Sequence, residues 1–125
     1  MAQIFVAVED GRIAGYYSLS AASIDRAALP AERARRLPHY PVPAAMLGRL
    51  AVDLNRQGRG VGEFMLVDAM RRVLRASAAM AVYAIVVDAK SDQARAFYEA
   101  YGFRLLETQG RRLFLPLATV EGLGL

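Results

Sequence analysis

The segment NRQGRGVGEF, Asn55 to Phe64, carries three glycines within five residues and leads into a run of helix-forming residues. Its glycines, Gly58, Gly60 and Gly62, let backbone N–H groups converge directly before a helix begins. Converging amides and the positive end of a helix dipole form an anion site that suits a pyrophosphate. A flexible turn between a strand and a helix is the alternative interpretation of the same residues.

Two familiar phosphate-binding motifs do not match this loop. A Walker A loop requires Gly-Lys followed by Ser or Thr, and the segment contains no lysine. A dinucleotide fingerprint that begins at Gly58 requires glycine at position 63, where Glu63 stands. Arg56 and Arg59 place positive charge at the rim of the loop. The spacing therefore argues against a nucleoside triphosphate in a Walker A loop and against a dinucleotide, and it leaves the identity of the phosphate ligand open.

The composition narrows the class of protein. A chain of 125 residues has the length of one domain with a single core, and 55% hydrophobic with 22% charged residues argues against disorder. Because the chain has no cysteine, it forms neither disulfides nor thiolate metal sites. No stretch reaches the roughly 18 apolar residues of a membrane span, and the first residues lack the basic region of a secretion signal. We expect a cytoplasmic protein that does not enter a membrane.

Arginine carries nearly all of the positive charge. The net charge is +4, the sequence pI is about 9.8, and Lys90 is the only lysine. The planar guanidinium fork matches phosphates, which fits acidic or nucleic-acid partners. A compositional bias of the genome explains the same excess equally well, since alanine is also abundant. Arg71, Arg72 and Arg75 of the helix after the glycine loop form either a solvated face or a partner contact.

Periodicity predicts an alternation of strands and helices. Alternating and β-branched residues predict strands over Gln3–Val8, Ile13–Ile24, Ala45–Val52 and Val82–Ala89, with a tight turn at Glu9–Arg12. A final hairpin is predicted from Phe103–Glu107 and Arg111–Leu117. Helices are predicted over Val61–Ser77 and from the N-cap Ser91 to about Ala100, with Gly102 ending the second. Asp25–Leu37 is expected to be a short helix or irregular, and Pro38–Pro43, which contains His39, an extended connector.

The long helix is expected to be amphipathic. Its apolar stripe consists of Leu66, Met70, Val73 and Leu74, while Asp68 and the three arginines face away from the core. With a buried strand on each side of this helix, the order predicts an α/β sandwich built on a mixed sheet rather than a doubly wound Rossmann fold.

Two segments together resemble the GNAT superfamily of N-acetyltransferases. Gln57 to Gly62, after the strand Leu50-Ala51-Val52, resembles its acyl-CoA-binding signature, Q/R-x-x-G-x-G/A. ARAFYEAYGF, Ala94 to Phe103, resembles the second signature of that superfamily. The resemblance covers most of the chain and implies one GNAT domain over residues 1–125. The implied fold is α/β (an α+β sandwich) with a mixed, mostly antiparallel central sheet flanked by helices.

The resemblance implies an acetyl-CoA site that uses no metal. The backbone of the strand would bind the pantetheine arm, and the loop would bind the pyrophosphate. Ser91 and Ala94 begin the short helix, where Ser91 replaces the asparagine frequent in the family and still donates one hydrogen bond. The implied cofactor-binding residues are Leu50, Ala51, Val52, Gln57, Gly58, Arg59, Gly60, Val61, Gly62, Ser91 and Ala94.

Tyr98 matches the tyrosine that serves as general acid in the family. A phenol with an ordinary pKa near 10 stays protonated at neutral pH and can protonate a departing thiolate. A core aromatic is the alternative role, and Tyr101 and Phe103 are expected to pack in the core.

A general base is not evident from the sequence. Asp53, Glu63 and Asp88 are candidates only because they lie near the predicted site. A lysine amine has an ordinary pKa near 10.4 and must lose a proton before attack, whereas an α-amino group titrates near 7.7–8.0. The lack of a clear base therefore favours α-amino acceptors.

Longer blocks resemble one branch of the superfamily, the GNAT toxins of bacterial type II toxin–antitoxin pairs. The most specific block is PVPAAMLGRLAVD, Pro41 to Asp53. This resemblance implies acetylation of the amino group of aminoacyl-tRNA, which blocks translation. It also implies a ribbon-helix-helix antitoxin and a homodimer as partners.

The chain departs from this branch at its N-terminus. Family members carry some 35–45 residues before the strand that begins here at Gln3, and those residues help to wall the acceptor pocket. We therefore expect an N-terminally short domain with a complete cofactor half. A small-molecule or protein amine acetyltransferase is a second hypothesis, and a catalytically weak module that binds acyl-CoA or an antitoxin is a third.

Overall fold

A computed structural model describes residues 2–37, 41–106 and 110–125 of the chain. The strands are β1 (Gln3–Glu9), β2 (Arg12–Ile24), β3 (Val42–Val52), β4 (Ala84–Asp88), β5 (Arg104–Leu105) and β6 (Arg112–Pro116). The helices are α1 (Ala31–Ala34), α2 (Val61–Ala76), α3 (Asp92–Ala100) and α4 (Leu117–Glu121). Short 3₁₀ turns span Arg26–Ala28 and Leu54–Arg56. Within the described ranges, no helix is long and apolar enough to cross a membrane.

All six strands form one sheet in the order β1-β2-β3-β4-β6-β5. Every neighbouring pair is antiparallel except β3 and β4, which run parallel. The chain makes this one parallel connection through α2, since parallel strands require a crossover. The predicted mixed, mostly antiparallel sheet flanked by helices is confirmed.

Pairing between β3 and β4 stops part-way along β3. It runs from Ala44–Ala84 to Leu47–Val87, and β3 then continues to Val52 with only β2 as its partner. A bulge lies at this point, because two residues of β3 oppose Ser18 alone. A bulge bends its strand and increases its twist. The two parallel strands therefore separate beyond Leu47 and leave a gap in the sheet.

The face of the sheet that carries α2, α3 and α4 contains the larger core cluster. Side chains of α2 at helical spacing are fully buried against this face: Val61, Met65, Leu66, Ala69, Met70 and Val73. Strand residues such as Leu47, Ile85 and Val87 fill the other side of the same cluster. This layer fixes α2 across the crossover and so fixes the loop that precedes it.

The opposite face carries the 3₁₀ turn and α1. Its cluster is smaller and includes Ala28, Leu29, Val42, Val86 and Phe114. Since Val86 and Val87 belong to different clusters, β4 is covered on both faces, as its continuous apolar sequence predicts.

Several boundaries differ from the sequence prediction. Strand β3 begins at Val42 rather than Ala45, because Val42 pairs with Ile24 and is 2% exposed. Proline is tolerated next to it because it lies at the start of a strand. Strand β4 is shorter than predicted, and Leu117–Glu121 forms α4, a helix that the sequence did not predict. Residues 38–40 of the predicted connector, Glu107 of the predicted strand Phe103–Glu107, and Thr108 and Gln109 of the turn after it lie outside the described residues.

Asp68 and Arg72 of α2, which were predicted to face away from the core, are half-exposed and contact the first hairpin. The phenol of Tyr17 donates a hydrogen bond to Asp68, and the Arg72 Nε donates to the Tyr17 oxygen at 2.9 Å. The Arg72 guanidinium also lies 4.0 Å from the ring centre of Phe5. Although burial opposes it, the hydrogen bonds from Tyr17 and Arg72 lower the pKa of Asp68. These contacts attach α2 to the first hairpin.

Gly15 is a position where the fold permits no side chain. A Cβ atom there would lie 2.6 Å from the Ala51 carbonyl oxygen and 2.7 Å from the Met65 Cε. We expect Gly15→Ala to lower the free energy of unfolding by about 1–3 kcal/mol, the usual range for overpacking. Denaturant unfolding followed by circular dichroism measures this change.

Gly122→Ala is the matched control, because its new Cβ would meet its nearest atom, the Thr119 carbonyl oxygen, at 3.4 Å. Its free energy of unfolding should change by less than about 0.5 kcal/mol. Equal unfolding midpoints for Gly15→Ala and the wild type would show that β2 does not approach β3 and α2 this closely.

Candidate active site

A cleft of about 660 Å³ opens where β3 leaves β4. Leu50 and Val52 of β3 form its floor. The glycine loop and the first turn of α2 form one wall, and one side of α3 forms the other. The gap in the sheet, the loop and the two helices thus meet at a single concave site.

The glycine loop has the backbone conformation of an anion-binding turn. Gly58 and Gly60 have φ angles of +79° and +80°, which L side chains rarely adopt. A Cβ at either glycine would meet nothing within 4 Å, so the loop surface is open. Both glycines therefore serve the path of the backbone rather than close packing.

The N-terminus of α2 presents unpaired amides to this loop. Gly60 is the N-cap residue, and no side chain caps the helix. The first N–H groups of a helix lack intrahelical acceptors and carry the positive end of its dipole. At 16 residues, α2 is long enough to develop that dipole. These amides are available to a phosphate in the cleft.

Gly62 allows the walls of the cleft to approach each other. A Cβ there would lie 3.7 Å from the Phe97 ring, 3.8 Å from Val52 and 3.9 Å from Leu50. These are ordinary contact distances, so Gly62 sits between the floor and the α3 wall. A larger side chain at this position would fill the narrow part of the cleft.

The α3 wall begins at Ser91 and ends in an aromatic cluster. The Ser91 hydroxyl accepts a hydrogen bond from the Ala94 amide at 3.1 Å and caps the helix as predicted. The ring of Phe97 lies 5.3 Å from Tyr98 and 5.2 Å from Tyr101. Packing between these rings holds the wall rigid.

Tyr98 is the most buried of the cleft aromatics, with 8% of its surface exposed. Its ring also packs edge-on against Phe103 at 5.4 Å, so core contacts hold it in place. Burial raises the pKa of Tyr98 above the ordinary value of 10.0. The phenol is therefore neutral at physiological pH and keeps a proton to donate.

Carboxylates offset the arginine charge at the rim of the cleft. Arg56 lines the cleft, but its guanidinium contacts Glu9 at 3.0 Å and Asp53 at 3.2 Å. Arg59 turns towards Glu9 at 3.5 Å and does not line the cleft. Positive potential at the loop therefore comes mainly from the helix amides.

Two of the three carboxylates considered as bases are paired with arginines, while the third, Glu63, lines the cleft. Arg112 contacts both oxygens of Asp88 at 2.8 and 3.0 Å, and these hydrogen bonds lower the pKa of Asp88. Asp53 is paired with Arg56. Glu63 lies near Tyr101, whose pKa is raised by burial and then by the Glu63 charge.

The structure brings together all the predicted site residues except Ala51 and Arg59. Ala51 lies between two strand residues that face the cleft, so its side chain points to the other face of the sheet. The sequence prediction omitted the cleft residues Gln93 and Phe97, and it named Arg56 only at the rim of the loop and Glu63 only as a candidate base. It also assigned Tyr101 to packing, although Tyr101 lines the cleft. The spacing of residues 94, 97, 98 and 101 on one helix face would have identified the aromatic ones.

Comparison with known protein families matches the chain to a family of acyltransferases. The acetyltransferase (GNAT) domain family matches residues 1–105 of the chain. The chain belongs to the GNAT acetyltransferase family. The predicted fold type and the predicted class of enzyme, an N-acetyltransferase, are confirmed by this match.

Individual relatives are similar along nearly the whole chain. A tRNA-acetylating toxin of Mycobacterium tuberculosis is 40% identical over 119 residues, which are 95% of this chain and 71% of the relative. The structure of AtaT complexed with acetyl-methionyl-tRNAfMet is 33% identical, with a TM-score of 0.87 over 99% of this chain and 75% of that one. A mutant AtaT toxin bound to acetyl-CoA and the C-terminus of the antitoxin AtaR is 30% identical, with a TM-score of 0.72 over 89% and 65%.

The burial of Tyr98 predicts its titration. Because burial favours the neutral phenol, the Tyr98 proton should be lost only above pH 10. The free energy of unfolding should then fall as the pH rises through the raised pKa of Tyr98, since the folded state binds this proton more tightly than the unfolded state. Phenolate absorbance should therefore show that Tyr98→Phe removes a group titrating above pH 10 in the folded protein.

Tyr17→Phe is the control for this titration. Burial, together with the hydrogen bond to Asp68 and its charge, raises the pKa of Tyr17 to about 12. The control should remove a phenol near that value and leave the Tyr98 step in place. A phenol titrating at or below pH 10 that disappears in Tyr98→Phe would contradict the buried position of Tyr98.

Proposed function

We propose that the chain transfers the acetyl group of acetyl-CoA to the α-amino group of an aminoacyl-tRNA, and that it acts as a toxin by blocking translation. The transfer chemistry rests on the cleft that Tyr98 lines together with Leu50 and Val52, the β3 residues beyond its last pair with β4. The acceptor rests on the 40% identity to the tRNA-acetylating toxin and on the similarity to the tRNA complex of AtaT.

The described residues fit acetyl-CoA as a substrate. The pantetheine arm would lie along Leu50 and Val52, where β3 has left its parallel partner and its edge groups are free. The pyrophosphate would lie against the loop of Gln57, Gly58, Gly60, Val61 and Gly62 and the first amides of α2. Ser91 and Ala94 would contact the arm from the α3 wall. Ala51 would contribute only its backbone to binding, and Arg59 only its positive charge at the rim of the loop.

Tyr98 would act as the general acid. The amine attacks the thioester carbon, a C–N bond forms, and the C–S bond of the tetrahedral intermediate breaks. The Tyr98 phenol donates its proton to the departing sulfur and regains one from the newly formed ammonium group. Positioned proton transfer of this kind contributes a rate factor of about 10² to 10⁴.

The carboxylates near the cleft favour a weakly basic acceptor. Asp88 and Asp53 are held by arginines, so neither is free to deprotonate a lysine amine. An α-amino group titrates near 7.7–8.0 and is partly neutral without a base. The pKa of the amine in an aminoacyl ester is expected to be lower still. The arginine pairing of Asp53 and Asp88 therefore supports an aminoacyl-tRNA over a lysine side chain, with Glu63 as the remaining carboxylate in the cleft.

The partners follow from the same assignment. We propose a ribbon-helix-helix antitoxin as the neutralising partner, a homodimeric state of the protein, and a cytoplasmic location, where charged tRNA is found. We also propose that residues 1–125 act as one domain, because α2 and α3 share a single core cluster with the sheet.

Acetyl transfer to a panel of acceptors tests the function. Purified protein with labelled acetyl-CoA should acetylate aminoacyl-tRNA and leave the same tRNA unmodified after its amino acid is removed. Faster transfer to a polyamine or a lysine peptide would indicate a general amine acetyltransferase instead. Binding of acetyl-CoA without transfer to any acceptor would indicate a binding module.

Tyr98→Phe tests the acid role. We expect the transfer rate to fall by a factor of about 10² to 10⁴ while acetyl-CoA affinity changes less than about twofold, because the ring remains and only the proton donor is lost. Single-turnover transfer and calorimetric titration measure the two quantities.

Tyr17→Phe is the matched control, since it removes a phenol that lies outside the cleft and bonds to Asp68. It should retain the wild-type transfer rate once folding has been verified. An undiminished rate in Tyr98→Phe would exclude Tyr98 as the acid.

A further inference from the structure

A second cavity, of about 460 Å³, lies on the sheet face opposite α2 and is lined by arginine side chains. Arg33 and Arg36 reach it from α1 and the turn that follows, and Arg104 reaches it from β5. Tyr83, the residue before β4, forms part of the same wall. These residues are separated by up to 71 positions in sequence, so only the folded chain brings them together. We call this cavity the arginine pocket.

The arginine pocket rests on packed elements. Ala34 and Leu37 pack on the core cluster of this face, and the Arg26 Nε donates a 2.7 Å hydrogen bond to the Ala34 carbonyl. The Arg33 Nη1 donates to the Tyr83 hydroxyl at 3.3 Å. Arg104 pairs across the sheet with Phe114, which belongs to the same cluster. The pocket therefore has a fixed position on the sheet.

Carboxylates do not neutralise the pocket within the described part of the chain. Elsewhere, arginines of the cleft, α2, α3 and β6 lie within 4 Å of an Asp or Glu oxygen. No such ion pair is found among the described residues for Arg33, Arg36 or Arg104, although Glu32 also lines the cavity. Several guanidinium groups around one cavity repel each other unless an anion lies between them, and their forked donors match a phosphate.

The pocket lies on the face of the sheet opposite the cleft. The cleft floor, Leu50 and Val52, and its α3 wall pack with the cluster on the α2 face. Acetyl-CoA in the cleft would fill that side of the gap, so the amine must enter from the other face. Tyr83 precedes the last paired residue of β4, Val87, by four residues, a span of about 13 Å at the usual rise of a strand.

We propose that the arginine pocket binds backbone phosphates near the 3′ end of the acceptor RNA while the aminoacyl group enters the gap between β3 and β4. The inference rests on the proposed function and adds the surface that holds the RNA. It assigns RNA binding to α1 and β5 rather than to the exposed arginines of α2.

Arg36→Gln combined with Arg104→Gln tests the pocket without disturbing the hydrogen bond between Arg33 and Tyr83. We expect the KM for aminoacyl-tRNA to rise about tenfold, with kcat and the KM for acetyl-CoA within about twofold of wild type. The plot of log affinity for tRNA against log salt should become shallower by about 1 to 2, as for two lost phosphate contacts. An unchanged KM and an unchanged salt slope would overturn the proposal.

Arg71→Gln combined with Arg75→Gln is the matched control, since it removes two exposed arginines from the opposite face. It should leave the KM for tRNA within about twofold of wild type. An equal rise in both double variants would show that charge alone, and not the pocket, determines affinity. Arg36→Lys with Arg104→Lys should recover part of the affinity, which a purely structural role would not produce.

The outcome is separable from that of the proposed function. If the wild type transfers no acetyl group to charged tRNA, the function fails, and filter binding of uncharged tRNA still tests the pocket through the same two double variants. A rise in the KM for acetyl-CoA instead would assign the pocket to a phosphate of the donor and overturn its assignment to RNA.

Discussion

The candidate site depends on the bulge at which β3 stops pairing with β4. Two residues of β3 oppose Ser18 there, so the strand bends away after Leu47 and its remaining residues pair with β2 alone. A continuous parallel ladder would satisfy those backbone groups and close the gap. Because the ladder is open there, the backbone of β3 beyond Leu47 can bind a substrate arm, and the gap connects the two faces of the sheet. Tyr98 can act on a bound substrate only because of this opening.

The parts around the gap are held by contacts that lie far from it. Burial of six α2 side chains fixes the helix, and with it the free amides at its N-terminus. Tyr17, Asp68 and Arg72 attach the same helix to the first hairpin. On the other wall, Phe97 and Phe103 hold Tyr98 in position, and the burial that they provide keeps its phenol neutral. The core therefore sets both the geometry and the protonation state of the proposed acid.

Much of this could be predicted from the sequence because the signals are local. Glycines before a helix, a serine at an N-cap and β-branched runs each depend on a few neighbouring residues. The features that could not be predicted depend on distant partners. Asp68 and Arg72 were expected to face away from the core, and their hydrogen bonds to Tyr17, more than 50 positions earlier in the sequence, could not be predicted from the helix alone. The contact of Arg59 with Glu9 at 3.5 Å was also not predicted, while the binding role of Arg59 stays a prediction. The arginine pocket combines residues of α1 and β5 that are far apart in the sequence, so no local sequence pattern predicts it.

Acetyl-CoA binding in the gap beyond Leu47, against β3 and the N-terminus of α2, is the step on which the proposed activity depends. Backbone amide exchange, measured by NMR with and without CoA, reports on this contact residue by residue. We expect CoA to slow exchange at residues 49–52 and at Val61 and Gly62, while the edge strand β1 exchanges as before. Unchanged exchange at both segments, with protection elsewhere in the sheet, would contradict it.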